Sequence, residues 1–280
     1  LLDMRRRVVG VLAGRPDDPS WSEVAAQASA ALEAILPEHN TKRDHGDHRR
    51  GGFIALACGV SFGGGQKTPG RLVNTSQNAK ALASLCEHAA FKRIAGFGSS
   101  ALATYAPKIY QHMQHSLGAL YHALPSLRPN FVNSVYPAAT FNFGPRTVSF
   151  PHTDSANAPF NFCHIAALGR FNPKAGGHMV LLDYRIVIEF PPGSSILIPS
   201  AIVRHGNTAI QPGEVRQSFT QYCAGGLLRW VDAGFRSQAE FAQNDPAGKA
   251  RFDREADIRV TKGLGMFSTY DSLIEDVVGM

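Results

Sequence analysis

The chain has 280 residues, enough for one large domain or two small ones, and its 44% hydrophobic content can build a sizeable core. That composition, with 18% charged residues, argues against disorder over most of the length. The formal net charge of +6 suits a polyanionic partner, and an ordinary solvated basic surface explains it equally well.

Cysteine usage and hydropathy narrow the class of protein further. The four cysteines form no CxxC pair, which argues against a zinc site and a disulfide framework and favours a reducing compartment: Cys58, Cys86, Cys163 and Cys223. No apolar run reaches the ~18 residues of a membrane span. No apolar signal segment follows the N-terminal charges, so we expect an intracellular protein.

The first half of the chain reads mainly as helix. An apolar stripe running from Val24 to Ile35 at helical spacing predicts a first helix, with a cap near Ser20. A polar loop at 38–52 and a strand at 53–60 follow. The glycine-rich stretch 61–70 contains too many helix and strand breakers for a regular element. Two further helices are predicted, at 75–93 and 99–124.

The second half changes character and shows short β-rich runs between turn residues. Eight strands at this spacing favour a barrel or jelly roll over alternating βα units, and they are predicted at 136–143, 147–152, 160–168, 178–182, 186–190, 195–198, 204–208 and 216–223. We therefore expect a helical part at 1–131, a β core at 132–226 and C-terminal helices at 227–280, packed as one continuous domain.

A set of metal-ligand residues lies within the β-rich half. Alternate residues of a strand point to the same face, so His152 and Asp154 can approach one ion together, and His205 offers a third ligand from a later strand. Two histidines and one carboxylate form the facial triad of non-haem Fe(II) oxygenases, which leaves coordination positions open. The alternative is a strand-end histidine beside a turn aspartate.

Other histidines in the chain are weaker candidates for metal ligands. The second HxD pair, His45 and Asp47, sits among basic and turn residues and is interpreted as an exposed loop. The helical histidines lack a nearby carboxylate partner and are interpreted as helix-surface or interhelical residues: His112, His115 and His122.

A second signature follows eleven residues after His205. Strand periodicity places Arg216 and Ser218 on one face, where a two-pronged arginine contact and a hydroxyl could hold a carboxylate. The distal carboxylate of 2-oxoglutarate requires such a site. The alternative is a strand arginine paired with a surface acid such as Glu214.

The order HxD, distal histidine and RxS over about 136–226 resembles the double-stranded β-helix oxygenases. This resemblance implies an α+β fold with a double-stranded β-helix (jelly-roll) core flanked by N- and C-terminal helices. It also implies Fe(II) as the metal, 2-oxoglutarate as cosubstrate and O2 as oxidant, with hydroxylation of a C–H bond as the reaction.

The residues around the triad resemble the TET/JBP family, in particular its compact members from microbial eukaryotes. The likeness rests on three segments: 152–157 (His-Thr-Asp-Ser-Ala-Asn), 165–171 and 176–180. It implies oxidation of a methylated base in duplex DNA, most simply 5-methylcytosine to 5-hydroxymethylcytosine, with the base flipped out and with nuclear residence. Alternatives are N6-methyladenine, a protein side chain, a small metabolite, a cupin-like protein using another metal, or an inactive DNA-binding module.

The same resemblance suggests further site residues. A second cosubstrate arginine precedes the HxD in that family, where Arg146 is the candidate, and His164 could touch the cosubstrate or be a satisfied interior residue. Asn142 and Asn157 are candidates for contact with the base, or for turn and strand-junction roles. The glycine-rich loop could approach phosphate, with Lys67 and Arg71 supplying charge and Gln66 filling the space left by a flipped base. The alternative is a flexible lid or a simple connection.

Overall fold

The computed structural model describes residues 1–35 and 49–279, which form nine α-helices and ten β-strands. The helices are α1 (Trp21–Ile35), α2 (Ser76–Glu87), α3 (Ala89–Tyr105), α4 (Pro107–Ala123), α5 (Gly225–Asp232), α6 (Gln238–Asn244), α7 (Pro246–Arg254), α8 (Ala256–Gly265) and α9 (Leu273–Val278). The strands are β1 (Val11–Gly14), β2 (Ala55–Ser61), β3 (Gly70–Arg71), β4 (Ala138–Asn142), β5 (Cys163–Arg170), β6 (Met179–Leu181), β7 (Ile186–Ile188), β8 (Ser195–Ile198), β9 (His205–Asn207) and β10 (Val215–Tyr222).

Two antiparallel sheets make up the β core. The larger has the order β1-β8-β5-β10-β4-β2-β3, and the smaller has the order β7-β6-β9. Apolar side chains of β5, β6 and β8 fill the space between the sheets, among them Ile165, Leu181 and Ile198. This mixed architecture confirms the α+β jelly-roll fold expected from the sequence.

Helices cover the other face of the larger sheet. Phe91 of α3 packs edge-on against Phe141 of β4 and at a tilt against Phe219 of β10, with ring centroids 4.9 and 5.3 Å apart. Leu32 of α1 belongs to the same fully buried cluster. The larger sheet is thus buried on both faces, which explains why β5 reads as an almost continuous apolar run.

The sheet draws strands from both halves of the chain. β1, β2 and β3 precede residue 132, and β2 pairs with β4 over five residue pairs from Ala55↔Asn142 to Gly59↔Ala138. Of the predicted strands, 195–198 coincides with β8, and most others are longer than the observed strand by one to three residues at an end.

One predicted strand, at 147–152, is wrong. Its backbone makes isolated bridges only, at Arg146↔Arg216 and His152↔His205. Between them the Asn207 side chain takes the place of a partner strand: its Oδ1 accepts from Ser149 N and its Nδ2 donates to the carbonyl of Thr147. A side-chain amide therefore satisfies backbone groups that a strand ladder would otherwise pair.

The two helices predicted between residues 75 and 124 are three in the structure. His88 adopts an extended backbone (φ −65°, ψ 130°) and its ring accepts from Ala90 N, which ends α2 and caps α3. Pro107 begins α4, and its ring disfavours helical backbone at Ala106. The apolar periodicity continued through both breaks and did not reveal them.

The predictions for the N-terminal polar loop fall partly outside the described residues. This holds for His45 and Asp47, interpreted as an exposed loop, and for much of the basic stretch before Arg49. Across the ranges 1–35 and 49–279, no helix combines the length and apolarity needed to cross a bilayer.

Two helical glycines give a matched test of how tightly α3 packs on the sheet. A Cβ on Gly98 would lie 2.2 Å from Nδ1 of His164, whereas a Cβ on exposed Gly118 of α4 would meet nothing within 4 Å. Gly98→Ala should lower the free energy of unfolding by roughly 1–3 kcal/mol through overpacking. Gly118→Ala should raise it by about 0.5–1 kcal/mol through helix propensity. Urea unfolding measures both, and a stabilising effect at Gly98 would contradict this packing.

Candidate metal centre

Backbone pairing brings the two histidines of the triad together. His152 N donates to His205 O and His205 N donates to His152 O, each at 2.9 Å. The two residues therefore form a hydrogen-bonded antiparallel β-bridge. The ring centroids are 4.4 Å apart. Asp154 is held beside them because its N donates to Ser200 O at 2.8 Å.

The three side chains converge on one point. Asp154 Oδ1 lies 3.8 Å from His152 Nε2, and Asp154 Oδ2 lies 3.9 Å from His205 Nε2. The three ligand atoms lie within 4.8 Å of one another, close enough to hold one ion after small side-chain rotations. The structure thus brings together His152, Asp154 and His205, the three residues that the sequence predicts as metal ligands.

Hydrogen bonds set the tautomer of both rings. His152 Nδ1 lies 2.8 Å from Phe150 O, and His205 Nδ1 lies 2.9 Å from Val203 O. Because a carbonyl only accepts, each Nδ1 carries the proton and each Nε2 presents its lone pair to the centre. Burial lowers the pKa of both histidines, which favours the neutral form that binds a metal.

A polar pocket adjoins the triad between the two sheets. Its lining combines the triad with the inner faces of β4, β5, β9 and β10, and includes Phe53, Asn142, Ser149, Ile165, Met179, Asn207, Arg216, Ser218 and Thr220. Ser218 pairs with Asn142 in the ladder, and Asn142 Nδ2 donates to Ser218 Oγ at 3.0 Å. Since Oγ already accepts there, its hydroxyl proton is available to a ligand.

Arg216 places a buried positive charge in this pocket. Its side chain is only 3% exposed, its Nη1 donates to both the carbonyl and Oγ1 of Thr147 at 3.0 Å, and its Nε has no hydrogen-bond partner. Burial lowers its pKa to about 10, so the group is charged at neutral pH. Within the described ranges it forms no salt bridge, and Glu214 instead accepts from the backbone N of Asn172 and Gln211.

The site fits Fe(II) and a dicarboxylate cosubstrate. Two neutral imidazoles and one carboxylate are the ligand set of facial-triad iron sites, and a buried cation without an anion is costly unless a ligand supplies the charge. Fe(II) would be held by His152, Asp154 and His205, and the carboxylate of 2-oxoglutarate would supply the anion that Arg216 lacks, with Ser218 beside it. Together with O2, these groups would supply oxidation of a C–H bond.

Three of the other predicted residues do not line the pocket. Arg146 pairs with Arg216 through its backbone, but its side chain is exposed. His164 faces the helix side of β5, where Nε2 lies 2.8 Å from Ser195 Oγ and Nδ1 accepts from Gln221 at 3.0 Å. Asn157 donates to Cys163 Sγ and Ser200 Oγ beneath the HxD turn. His164 and Asn157 thus have the contacts of interior and turn-stabilising residues.

The glycine-rich loop lies beyond the end of β2, outside the pocket lining. Gln66 and Lys67 are exposed at its tip, after three glycines with positive φ. The side chain of Arg71 makes hydrogen bonds within the protein, because it donates to Arg128 O and to Asn130 Oδ1.

Sequence reasoning missed Arg50. Its Nη2 lies 3.1 Å from Asp154 Oδ1, and the residue lines the pocket beside the triad. The contact is an ion pair by distance, although that Asp154 oxygen has no hydrogen bond of good geometry. Neighbouring Arg49 donates to Thr153 O, so both arginines dock on the HxD turn. In the sequence they were simply the end of a basic stretch, and no local signal singles them out.

Comparison with known proteins bears on the fold. No protein-family model matches the chain, and no curated protein matches it. Among solved structures, NgTET1 in complex with 5mC DNA aligns with a TM-score of 0.52 at 15% identity, covering 76% of this chain and 70% of that one. The chain has the fold of NgTET1. The fold implied by the TET/JBP resemblance is therefore confirmed.

More distant matches include an oxidoreductase of the 2OG-Fe(II) oxygenase family from Burkholderia pseudomallei, at 20% identity and a TM-score of 0.37 over 74% of this chain and 91% of that one. A Pseudomonas putida prolyl-4-hydroxylase matches at 12% identity and a TM-score of 0.36 over 77% and 92%.

The buried His164 predicts a pH dependence of stability. Burial lowers its pKa to about 3, whereas an unfolded histidine has a pKa of about 6.5. The folded state therefore binds fewer protons between these values, so stability is full above about pH 6.5 and falls as the pH drops toward about 3. The loss approaches about 1.4 kcal/mol per pH unit. Urea unfolding at pH 7.5 and 5.5 should show a loss smaller by roughly 1 kcal/mol in His164→Gln than in the unaltered chain, and equal losses would contradict it.

A pair of arginine variants tests the cosubstrate site. Arg216→Met removes the buried charge and should weaken 2-oxoglutarate binding by about 100-fold, because charge-assisted bonds of a bidentate pair are lost. Arg146→Met is the matched control and should bind normally, since its side chain is exposed. Anaerobic calorimetry with Fe(II) measures both affinities. Equal losses would place Arg146 in the site, as the family resemblance implied, and contradict this arrangement.

Proposed function

We propose that this protein is an Fe(II)- and 2-oxoglutarate-dependent dioxygenase that oxidises a methylated base in DNA, with 5-methylcytosine converted to 5-hydroxymethylcytosine and further steps open to it. The observation that carries the oxygenase chemistry is the convergence of His152, Asp154 and His205 beside the unpaired cation of Arg216. The DNA substrate is supported by the TET/JBP-like sequence segments and by the fold shared with NgTET1, which was solved with 5mC DNA.

The protein's own groups have definite tasks in such a reaction. When bound, iron, 2-oxoglutarate and O2 together supply the oxidation of a C–H bond to an alcohol. His152 and His205 present fixed Nε2 lone pairs, since their Nδ1 protons are held by backbone carbonyls. Arg216 and Ser218 orient the distal carboxylate from one face of β10. The apolar packing between the sheets keeps bulk water from the part of the site that holds Arg216 and Ser218.

A base within a duplex cannot reach ligands buried between two sheets. The base would therefore enter flipped out, and Arg50 and Phe53 are among the residues that line the pocket it would enter. Arg49 and Arg50 contact the HxD turn, and the chain's net charge of +6 is of the sign that attracts phosphates. Nuclear residence is part of this proposal, because it follows from the DNA substrate.

The direct test is incubation with duplex DNA carrying 5-methylcytosine, together with Fe(II), 2-oxoglutarate and O2. Mass spectrometry should detect 5-hydroxymethylcytosine, with succinate formed alongside. His205→Ala removes one ligand and should reduce product at least 100-fold, whereas exposed His115→Ala on α4 should leave the rate unchanged.

The outcomes separate the parts of the proposal. Succinate formation with the DNA unaltered would overturn the base substrate and favour a protein side chain or metabolite. Product from N6-methyladenine duplexes alone would correct the base. Failure to bind Fe(II) and 2-oxoglutarate would overturn the enzyme assignment and favour a DNA-binding module.

A further inference from the structure

Two cysteines meet on the side of the larger sheet that faces the helices. Cys58 of β2 and Cys86 of α2 are buried, and their Sγ atoms are 3.6 Å apart, which is van der Waals contact between two thiols. They lie on the opposite face of the sheet from the iron pocket, in the cluster beneath α2 and α3. The proposed oxygenase reaction makes no use of them.

A cavity of about 360 Å³ gives small molecules access to the two sulfurs. Both cysteines line it, together with Arg71, Asn74, Glu87 and Asn130. It holds several water molecules by volume, so a peroxide fits as well. Its lining includes the polar side chains of Arg71, Asn74, Glu87 and Asn130, which offer hydrogen bonds to a peroxide.

The surroundings of the pair favour formation of a thiolate at one of the two sulfurs. Across the 3.6 Å contact either thiol can donate to the other. Asn130 Nδ2 donates to Cys58 Sγ at 3.4 Å, and the positive charge of Arg71 acts in the thiolate's favour at both sulfurs. The other two cysteines do not line the cavity, and burial raises the pKa of Cys223 to about 12 and that of Cys163 further. Thiolates are the reactive form toward peroxides.

We propose that Cys58 and Cys86 form a dithiol that hydrogen peroxide, or a small organic hydroperoxide, oxidises to a disulfide. One cysteine, as the thiolate, attacks one peroxide oxygen, the O–O bond breaks, and the leaving hydroxide takes up a proton to become water. The sulfur of the other cysteine then attacks the sulfenic acid so formed, the S–O bond breaks, and a second water leaves with that cysteine's proton. Two thiols and one hydrogen peroxide thus give one disulfide and two waters, with two electrons passing from sulfur to oxygen.

The local backbone allows the approach that the bond requires. The sulfurs must close from 3.6 Å to about 2.05 Å. Cys86 is the next-to-last residue of α2, which ends at Glu87 before the extended residue His88. The end of a helix moves more readily than its middle, so the shift falls on α2 rather than on the paired strand β2.

The first experiment treats the reduced 280-residue chain with hydrogen peroxide after iron is removed by a chelator, so that no reaction occurs at the triad. Denaturation, alkylation and peptide mass spectrometry should then find Cys58 linked to Cys86, with Cys163 and Cys223 still alkylated. Dithiothreitol should reverse the link. The disulfide should also raise the midpoint of thermal unfolding by about 5 °C.

This first experiment uses no variant, so misfolding cannot obscure it. The absence of the linked peptide would overturn the proposal, as would oxidation of Cys163 or Cys223 at the same rate.

Variants test the sulfenic acid step. In Cys58→Ser and in Cys86→Ser the disulfide cannot form, so dimedone should trap a sulfenic acid at the remaining cysteine of the pair at least tenfold faster than at Cys163 or Cys223. Arg71→Gln should slow disulfide formation several-fold, and Lys80→Gln on the exposed face of α2 is the matched control with no effect. Absence of a dimedone adduct in both cysteine variants would overturn this step. None of these readouts depends on oxygenase activity, so the result is independent of the proposed function.

Discussion

The site depends on one backbone interaction, the reciprocal pair of hydrogen bonds between His152 and His205. Because residues that exchange both bonds lie directly opposite each other, the pair fixes the separation of two ligands from distant parts of the chain. Carbonyls of Phe150 and Val203 then fix both ring tautomers, each from two residues earlier in the chain. Asp154 follows because its backbone N is anchored on Ser200. Ligand geometry is therefore a consequence of strand pairing, and the ion need only draw in side chains that already face one another.

Strand alternation divides β10 into two functions. Arg216, Ser218 and Thr220 face the pocket, while Phe219 and Gln221 face the helices. A register slip of one residue would exchange the two sets, burying Arg216 among aromatic rings and opening Phe219 to the site. The pairing of β10 with β4 on one side and β5 on the other prevents this, since both ladders run over at least five residue pairs. The central position of β10 thus fixes Arg216 and Ser218 in the pocket by the same two ladders that fix Phe219 in the core.

The sequence predicted the site best where functional residue types were spaced two residues apart. RxS places Arg216 and Ser218 on one face of β10, in one pocket, and the spacing of HxD brings His152 and Asp154 together although only His152 makes a β-bridge. The same reasoning could not decide which face His164 occupies, because β5 is buried on both sides and its pattern has no polar face. Arg50 reaches Asp154 from about a hundred residues away along the chain, a contact that no local pattern encodes. The helix break at His88 depends on the hydrogen bond that its side chain accepts from Ala90 N, and the spacing of apolar residues does not reveal such a cap.

Arg216 shows how the fold and its ligand are coupled. A guanidinium enclosed by protein, with Nε unsatisfied, raises the free energy of the ligand-free state, and an anion that reaches it removes that cost. Any ligand that supplies the missing carboxylate therefore stabilises the two sheets as it binds, since Arg216 lies on β10 and its partner Thr147 lies on the segment leading to the HxD turn. The buried cation also ties that segment to the sheet. In the proposed enzyme, cosubstrate recognition and the position of the segment that carries His152 would both depend on this one charge.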